Sequence, residues 1–371
     1  MEKKNTWETY SSKQLKELEK INAQYRDFLD NGKTERECID TIVNTIEKSG
    51  YRELESLIKE GAALKTGDKV YSVWMNKSIA MFQIGRKPMT DGMNILGAHI
   101  DSPRLDVKQN PLYEADELAF LKTHYYGGLR KYQWVTIPLE LHGVVVLKSG
   151  QVVRVSVGNG EGDPLFTVDD LLPHLGAEQS RKPLGEAIPA ENLNILVGSR
   201  PLADDEGSDR VKLSILELLN RKYGIVEEDF ISAELSAVPA FRASDVGFDR
   251  SLIGAYGHDD RVCAYASLAA ILQLNDPERT AVCMLADKEE IGSEGVTGMK
   301  SAAFDTFMED LCQSQNVPLR ACYERSFCLS ADVTAAYDPN FAEVYEKRND
   351  AQVNHGLGLC KYTGARGKGG S

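Results

Sequence analysis

Apolar residues recur every three to four positions in two segments near the start of the chain. Both segments, Lys13–Leu29 and Thr34–Lys48, have the spacing of amphipathic helices, in which one apolar face packs against the protein interior. Thr34 is followed three residues later by Glu37, which is the pattern of a capping box at a helix N-terminus. The chain is therefore expected to open with a pair of helices.

Continuous or alternating apolar runs come next, and these are typical of β-strands rather than helices. The first three runs are Val70–Trp74, Ser78–Phe82 and Asn94–Ala98. The third run has the pattern of a buried strand and ends in a polar cluster that begins at His99. Because open α/β sheets place their ligand-binding residues at strand ends, this cluster is a candidate functional site.

The pattern becomes β-rich from about Val107 and returns to alternating strands and helices after Pro239. In the β-rich part we predict strands at Val135–Leu141, Gly143–Leu147, Val152–Val157 and Phe230–Val238, and a helix at Asp209–Tyr223. After Pro239 we predict a helix at Asp259–Leu272 and strands at Thr280–Ala286 and Phe327–Ala331. The chain is therefore expected to have an α/β fold, with a catalytic domain of residues 1–106 and 239–371 interrupted by a β-rich domain of residues 107–238.

Composition and charge narrow the class of protein. Of the 371 residues, 42% are hydrophobic and 27% charged, which is ordinary for a folded globular protein. The net charge of −13 argues against a partner such as nucleic acid or an anionic membrane surface. The polar N-terminus and the lack of any long apolar run signal neither export nor membrane insertion. Seven scattered cysteines without a C-x-x-C pair are typical of reduced thiols, so we expect a cytoplasmic location.

Four polar clusters lie at predicted strand ends or at a predicted helix start. They are His99-Ile-Asp101, Asp259-Asp260, Glu289-Glu290 and Asp332. A catalytic site with two metal ions needs a bridging carboxylate, further imidazole and carboxylate ligands, and an open position for water. The two-residue period of a strand places His99 and Asp101 on the same side of the chain, so that Asp101 can orient the imidazole. Glu289 and Glu290 offer one carboxylate for a metal and one for general-base catalysis.

Each cluster also has a simpler interpretation. A lone His-x-Asp is more often a surface hydrogen bond than a metal ligand, and Asp259-Asp260 suits the N-terminus of a helix. Two adjacent glutamates in Asp287-Lys-Glu-Glu-Ile-Gly-Ser293 would ordinarily be a solvated loop. The occurrence of all four clusters in one predicted domain favours the metal site.

The segments around these clusters resemble one family of metallopeptidases in both order and spacing. The segments are Gly97-Ala-His-Ile-Asp-Ser-Pro-Arg-Leu-Asp106, His258-Asp-Asp-Arg-Val-Cys-Ala264, Asp287-Lys-Glu-Glu-Ile-Gly-Ser293 and Ser330-Ala-Asp-Val-Thr-Ala335. They are similar to the aspartyl aminopeptidase and vacuolar aminopeptidase I family, and Val344-Tyr-Glu-Lys347 and Lys361-Tyr-Thr-Gly-Ala-Arg-Gly367 resemble its bacterial branch most. The resemblance covers essentially the whole chain. It implies a phosphorylase/hydrolase-like α/β peptidase domain with two zinc ions and an inserted β-rich domain that builds a tetrahedral dodecamer.

The same resemblance implies a role for eight residues. His99 and Asp332 correspond to ligands of one zinc, Glu290 to a ligand of the second, and Asp259 to the carboxylate that bridges both. Asp101 corresponds to the carboxylate that orients His99, and Glu289 to the general base. His174 resembles a histidine sent into a neighbouring subunit's site, and Lys361 a substrate-contacting lysine. Manganese or cobalt are possible substitutes for zinc.

The chain departs from the family pattern at several positions. Family members supply a last zinc-ligand histidine from a C-terminal Met-His-Ser/Ala-Pro motif, which is missing here, and His355 has a different context. This implies either a shortened chain or a weakly held second metal. Ala335 and Gly367 replace a histidine and a tyrosine of acid-preferring members, so the N-terminal residue removed is either acidic or neutral. His258 stands where many members have an apolar residue, as either an orienting partner of Asp259 or a turn residue.

The sequence therefore leads to the hypothesis of an aminopeptidase, a hydrolase that removes the N-terminal residue of peptides at a dinuclear zinc site. Two alternatives remain open at this stage. One is a non-catalytic homologue that binds metal or only assembles, and the other is a hydrolase that uses paired carboxylates without metal, such as a glycosidase with Glu289 as the acid.

Overall fold

The computed structural model describes residues 4–203 and 207–360. These residues form a mixed α/β fold with two large sheets. The helices are α1 Ser12–Asn31, α2 Glu35–Lys48, α3 Leu54–Lys59, α4 Leu184–Ala187, α5 Arg210–Tyr223, α6 His258–Gln273, α7 Ala303–Ser314 and α8 Leu319–Tyr323. The strands are β1 Arg52–Glu53, β2 Lys69–Trp74, β3 Ser78–Gln83, β4 Asn94–His99, β5 Arg104–Ala115, β6 Leu118–Tyr126, β7 Leu139–Val146, β8 Val152–Val157, β9 Thr167–Val168, β10 Ile195–Gly198, β11 Glu234–Pro239, β12 Ser244–Val246, β13 Leu252–Gly254, β14 Ala281–Ala286 and β15 Phe327–Ser330.

The first sheet is mixed and has the strand order β1-β2-β3-β14-β4-β15, in which the three strands β14, β4 and β15 are parallel. β14 and β15 both run parallel to β4, and the register pairs His99 with Ala286 and Gly97 with Ser330. The carboxyl ends of these three strands therefore meet at one edge of the sheet. The polar clusters that follow β4, β14 and β15 in the sequence are brought to that edge.

Helices cover both faces of the first sheet because its inner strands are apolar on both sides. On β3, Ile79 and Met81 pack with α1, α2 and α6, whereas Ala80 and Phe82 pack with α3, α7 and α8. All six residues of β3 are buried. This double burial explains why the strand has a continuous apolar pattern rather than an alternating one.

The second sheet has the order β8-β7-β11-β5-β6-β10-β9, and its neighbouring strands pair in antiparallel fashion. Its strands all come from the chain between β4 and β14, so the second sheet interrupts the first in sequence. It has its own apolar core, to which α5 contributes Val211. The sheet begins at Arg104, slightly before the predicted start of the β-rich domain. The predicted division at 106/107 and 238/239 stays a prediction.

Most of the predicted elements are present. α1, α2, α5, α6, β2, β3, β4, β8, β14 and β15 lie within a few residues of their predicted bounds. The capping box of α2 is confirmed, because Thr34 and Glu37 each bond the other's backbone N–H. Helix α7 was not predicted.

Three predicted strands in the β-rich part were wrong in extent. The segments Val135–Leu141 and Gly143–Leu147 are one strand, β7, which begins only at Leu139 and passes straight through Gly143. A Cβ at Gly143 would lie 1.9 Å from the carbonyl oxygen of Glu234 on β11, so glycine serves close strand approach there rather than a turn. The predicted strand Phe230–Val238 starts late because Glu227–Ser232 forms a 3₁₀ helix.

Two general features of the described residues bear on the predicted environment. No helix within residues 4–203 and 207–360 is long and apolar enough to cross a membrane. All seven cysteines are free thiols, four of them buried.

Buried charges join the start of α2 to the second sheet. Nδ1 of His142, on β7, lies 2.7 Å from Oε1 of Glu37, and its Nε2 lies 3.5 Å from Oε1 of Glu140. Nζ of Lys33 lies 3.3 Å from the same Glu140 oxygen. Burial by itself would lower the pKa of His142, but the carboxylates of Glu140 and Glu37 outweigh it and raise the pKa to about 9. The imidazolium is therefore one component of the junction between the two sheets.

We expect His142→Gln to destabilise the protein by about 2 kcal/mol near pH 6, the value of a hydrogen bond to a charged group. Because the pKa is raised in the folded state, the contribution of His142 is complete below pH 6.5 and is lost as the pH rises through about 9. The difference in urea midpoint between wild type and variant should therefore shrink between these pH values. His124→Gln, at an exposed position on β6, is the control. A difference that did not change with pH would contradict a charged His142.

Candidate metal centre

Three strand ends and one helix start build the site. His99 is the last residue of β4, Asp332 follows β15, and Glu289 and Glu290 lie in a 3₁₀ turn after β14. Asp259 lies in the first turn of α6. The parallel register of β4 with β14 and β15 brings the strand ends to one edge, and α6 presents its N-terminus there.

His99 is the centre of this arrangement. Its Nδ1 lies 3.0 Å from the backbone carbonyl oxygen of Asp101 and donates a hydrogen bond to it. In the neutral ring this places the proton on Nδ1 and leaves the lone pair of Nε2 free. Nε2 is buried and has no hydrogen-bond partner among residues 4–203 and 207–360. It faces carboxylate oxygens of three residues at 3.2 Å, 3.6 Å and 3.8 Å, namely Asp259, Glu289 and Asp332.

Asp101 holds the surrounding backbone in place. It is fully buried, and its two oxygens accept the backbone N–H groups of Glu289 and Glu290, each at 3.2 Å. Its Oδ1 also lies 3.2 Å from Nδ1 of His99. Although burial by itself would raise the pKa of Asp101, the hydrogen bonds from His99 and Tyr126 lower it. One ionised carboxylate therefore sets the position of the imidazole and of the glutamate turn together.

The carboxyl groups around His99 resist ionisation together. Burial raises the pKa of Glu290 to about 7, with repulsion from Asp259 as the next cause, and burial also raises the pKa of Glu289 and of Asp332. Burial by itself would lower the pKa of His99, but the carboxylates of Asp101 and Asp259 outweigh burial and raise the pKa to about 11. The cluster therefore concentrates negative charge that a bound cation would neutralise.

Asp259 and Asp260 have different surroundings, and the peptide bond between them is cis. The Asp259 side chain is half exposed and points into the site, whereas Asp260 is completely buried. Oδ2 of Asp260 accepts the backbone N–H of His99 at 3.4 Å. Oγ of Ser102 donates to the carbonyl of Asp259 at 2.7 Å. The start of α6 is thus bonded to the segment that carries His99.

Two overlapping sets of side chains could hold metal ions. His99, Glu289 and Asp332 form one set, and His99, Asp259 and Glu290 form the other. Within each set the potential ligand atoms all lie within 4.8 Å of one another. The donors are carboxylate oxygens and imidazole nitrogen, which suit zinc. The unpartnered Nε2 and the raised carboxyl pKa values both fit a divalent cation between them.

The structure brings together six of the eight residues singled out in the sequence: His99, Asp101, Asp259, Glu289, Glu290 and Asp332. His174 is exposed in the loop between β9 and α4, and neither set includes it. Lys361 lies outside the described residues. Within the described part of the chain, His355 also joins neither set, and it is half-buried rather than solvated.

His258 has a structural role. Its Nε2–H donates to the carbonyl of Ile253 at 2.9 Å, and its Nδ1 accepts from the hydroxyl of Tyr25 at 2.8 Å. Burial lowers the pKa of His258, which keeps the ring neutral. The side chain therefore ties α1 to the start of α6 and supports Asp259 from the far side.

Three residues that contact the site from outside were not found by sequence reasoning. Tyr126 donates to Asp101, Arg261 donates to the carbonyl of Ile100 at 3.1 Å, and Gly127 packs against Glu290. Tyr126 at the end of an alternating strand and Arg261 in the first turn of a helix are common residues at such positions, so neither indicated a role at the site. Only Gly127, at a strand end, carried a sequence signal for close backbone approach.

A cavity of about 640 Å³ opens beside the two sets. Its wall includes the apolar side chains of Ile95, Met284 and Phe304, and the site residues His99, Glu289 and Asp332. His99 is the only basic residue in the described lining. The cavity is large enough to receive a side chain next to the candidate metal ligands.

Comparison with known proteins identifies the family. Residues 28–369 match the family model described as "Aminopeptidase I zinc metalloprotease (M18)". A "Probable M18 family aminopeptidase 1" of Clostridium acetobutylicum is 51% identical over 373 residues, which cover 100% of this chain and 80% of that protein.

Solved structures agree with this assignment. The crystal structure of an M18 aminopeptidase from Thermotoga maritima has a TM-score of 0.93 at 41% identity, covering 99% of this chain and 80% of that one. A yeast structure described as an "mApe1 dodecamer" shares the fold, with a TM-score of 0.73 at 22% identity, covering 91% of this chain and 76% of that one. The chain belongs to the M18 family of aminopeptidases, and it is a hydrolase with the fold of that family.

Proposed function

We propose that the protein removes the N-terminal residue of peptides at a site that holds two zinc ions. The observation that carries the proposal is the buried, unpartnered Nε2 of His99, which faces carboxylates from three separate elements. The matching family is a zinc metalloprotease, and this supports the choice of metal. His99 is common to both sets of donors and can bind only one ion, but Asp259 and Glu290 then remain as carboxylate donors for a second ion.

The donors divide between the two ions as the family resemblance suggests. His99 and Asp332 would hold one ion and Glu290 the other, with Asp259 shared between them. His99 belongs to both sets of neighbouring donors, but Asp332 belongs only to one and Glu290 only to the other, which supports this division. Bound zinc polarises a carbonyl group and lowers the pKa of its water to about 7.

Glu289 is the proposed general base. Its carboxylate lies at the same edge as the proposed ligands, and its side chain is about half exposed, so a water molecule can reach it. Burial raises its pKa above that of an ordinary glutamate, which makes it a better proton acceptor. It takes the proton of the attacking water and gives it to the leaving amine. Asp101 fixes the backbone N–H of Glu289 throughout.

The cavity beside the ligands is the proposed position of the first side chain of the substrate. Its apolar wall and its carboxylates disfavour an acidic side chain, because no cation other than His99 lines its described part. A neutral N-terminal residue such as leucine is therefore the favoured substrate.

Assembly and location complete the proposal. The yeast relative is a dodecamer, and the same assembly is proposed here, with His174 exposed in a leucine-rich loop where it could reach a neighbouring subunit. Leu172 and Leu175 on either side of it are 64% and 69% exposed. The scattered free thiols and acidic composition support a cytoplasmic location.

We expect zinc to bind the chelator-treated protein in two equivalents per chain in calorimetric titration. His99→Gln replaces the central proposed ligand and should weaken zinc binding by at least ~100-fold. This loss of affinity exceeds the loss found when a residue that only orients a ligand is replaced. His124→Gln, a replacement of an exposed histidine, is the matched control and should bind as wild type does. Unchanged binding by His99→Gln would refute the site, and one equivalent in the wild type would refute the second ion.

Glu289→Gln should lower kcat by about 10²–10⁴-fold, the usual contribution of general acid–base catalysis, while zinc binding and KM change little. The assay is release of the N-terminal residue from unblocked peptides that begin with Leu, Met, Asp, Glu or Lys. Glu294→Gln is the control, because Glu294 lies in the same loop but pairs with Lys300 at the surface. Wild-type turnover by Glu289→Gln would show that another group is the base.

Light scattering tests the assembly. A dodecamer should have a mass twelve times that of the 41.0 kDa chain. Leu175→Asp should shift the mass downward, since it introduces a charge into the apolar loop that carries His174. A monomeric wild-type chain would refute the proposed assembly without affecting the zinc titration.

A further inference from the structure

Tyr126 connects the second sheet to the metal centre on the first. It is the last residue of β6 and is 7% exposed. Its hydroxyl donates to Oδ2 of Asp101 at 2.6 Å, which is the short distance of a charge-assisted hydrogen bond. Burial first, and the Asp101 carboxylate second, raise the pKa of Tyr126, so the phenol remains a donor. A side chain of the second sheet thus bonds directly to the carboxylate beside the proposed ligands.

The oxygen that Tyr126 contacts has a further task. Oδ2 of Asp101 also accepts the backbone N–H of Glu290, while Oδ1 accepts that of Glu289 and faces Nδ1 of His99. Rotation of the Asp101 carboxylate would therefore disturb the imidazole and the glutamate turn together. The Tyr126 hydroxyl opposes that rotation, because it holds one oxygen from outside the segments that bear the proposed ligands.

Two cations lie against the Tyr126 ring. The guanidinium of Arg104 lies 3.9 Å from the ring centroid, and Nζ of Lys288 lies 5.2 Å from it. Both distances are within the range of a cation–π contact. Arg104 is fixed by Asp106 at 2.7 Å and by Glu35 at 3.3 Å. The phenol is therefore rigidly placed before it reaches Asp101.

The next residue along the chain contacts the other side of the site. Gly127 has φ of 76°, and a Cβ there would lie 3.1 Å from Cβ and 3.2 Å from Oε2 of Glu290. The end of β6 thus touches Asp101 through a hydrogen bond and Glu290 through close packing. These two contacts are independent observations of the same relationship between the second sheet and the metal centre.

We propose that Tyr126 is a positioning residue of the M18 reaction in this chain. By fixing the Asp101 carboxylate, it holds His99 and the Glu289–Glu290 turn at the spacing that the two ions require. The proposal rests on the proposed zinc site. It assigns to the second sheet a direct part in ligand geometry, in addition to any part in assembly.

Two replacements separate positioning from simple packing. Tyr126→Phe keeps the ring against Arg104 and Lys288 and removes only the hydroxyl that reaches Asp101. Tyr126→Leu removes the ring as well. A residue that only fills space should tolerate the first change and suffer from the second, whereas a positioning residue should already fail with the first.

Zinc affinity, kcat, KM and the urea midpoint are measured for both variants and for the wild type. Tyr126→Phe should weaken zinc binding and lower kcat by about 10-fold each, the lower end for groups that orient metal ligands, with KM within about twofold. Its urea midpoint in the zinc-free state should fall by the value of one charge-assisted hydrogen bond, and that of Tyr126→Leu should fall further because the packing of the ring is lost as well. Tyr125→Phe, at the exposed neighbouring position, should match the wild type in every measurement.

The outcomes distinguish this inference from the proposed function. Wild-type zinc affinity and kcat in Tyr126→Phe would overturn the positioning role while leaving the zinc site intact. Losses of zinc affinity and kcat that appeared only in Tyr126→Leu, together with its lower urea midpoint, would identify a packing effect and would also overturn the positioning role. A wild-type chain that bound no zinc would refute the proposed zinc site, and the positioning role would fall with it.

Discussion

Negative charge concentrated around one imidazole is the constraint on which the rest of the site depends. Asp259, Glu289, Glu290 and Asp332 surround a buried ring that has a single free nitrogen. Burial raises the pKa values of Glu289, Glu290 and Asp332, and repulsion between these neighbouring carboxylates raises them further. Such a cluster persists only if the fold holds each group by its backbone. The strand ends of β4, β14 and β15 and the start of α6 supply that support.

The support itself depends on buried charges between the two sheets. Glu35 at the start of α2 contacts Arg104 of the second sheet and Lys77 of the first-sheet hairpin. Although burial opposes ionisation of Glu35, Arg104 and Lys77 hold its pKa far below the ordinary value. Arg104 in turn stacks on Tyr126, which bonds to Asp101. The charge of the metal centre and the charge of the junction are thus parts of one continuous network.

Sequence patterns were sufficient to find the candidate residues of the metal site but not the residues that surround them. His99, Glu289 and Asp332 could be found because each follows an apolar run, and a strand end in an α/β fold is a known place for chemistry. The Asp259-Asp260 pair could be found from its position at a helix start. The division into α/β and β-rich parts was equally visible, because the two kinds of sheet differ in hydrophobic pattern.

Features that depend on contact between distant segments were not predictable from local pattern. Tyr126 has an ordinary place at the end of a strand, and its partner Asp101 lies in the other sheet's loop. Gly143 was predicted to begin a separate strand, yet it lies inside β7, because β11 passes too close for a side chain at this position. The assignment of Glu289 as base and Glu290 as ligand came from family resemblance, because the periodicity of the sequence gives no reason to assign different roles to two adjacent glutamates.

The position of the second sheet within the sequence has a consequence for how the protein is made. β4 and β14 are neighbours in the first sheet, but every strand of the second sheet is synthesised between them. The antiparallel second sheet pairs only among strands that precede β14, so it can fold while the ribosome is still extending the chain. His99 meets Glu289 and Glu290 only after β14 has joined β4, and it meets Asp332 only after β15 has been added. The side chains of the proposed site are therefore brought together only after the whole second sheet has been synthesised, when β14 and β15 join β4.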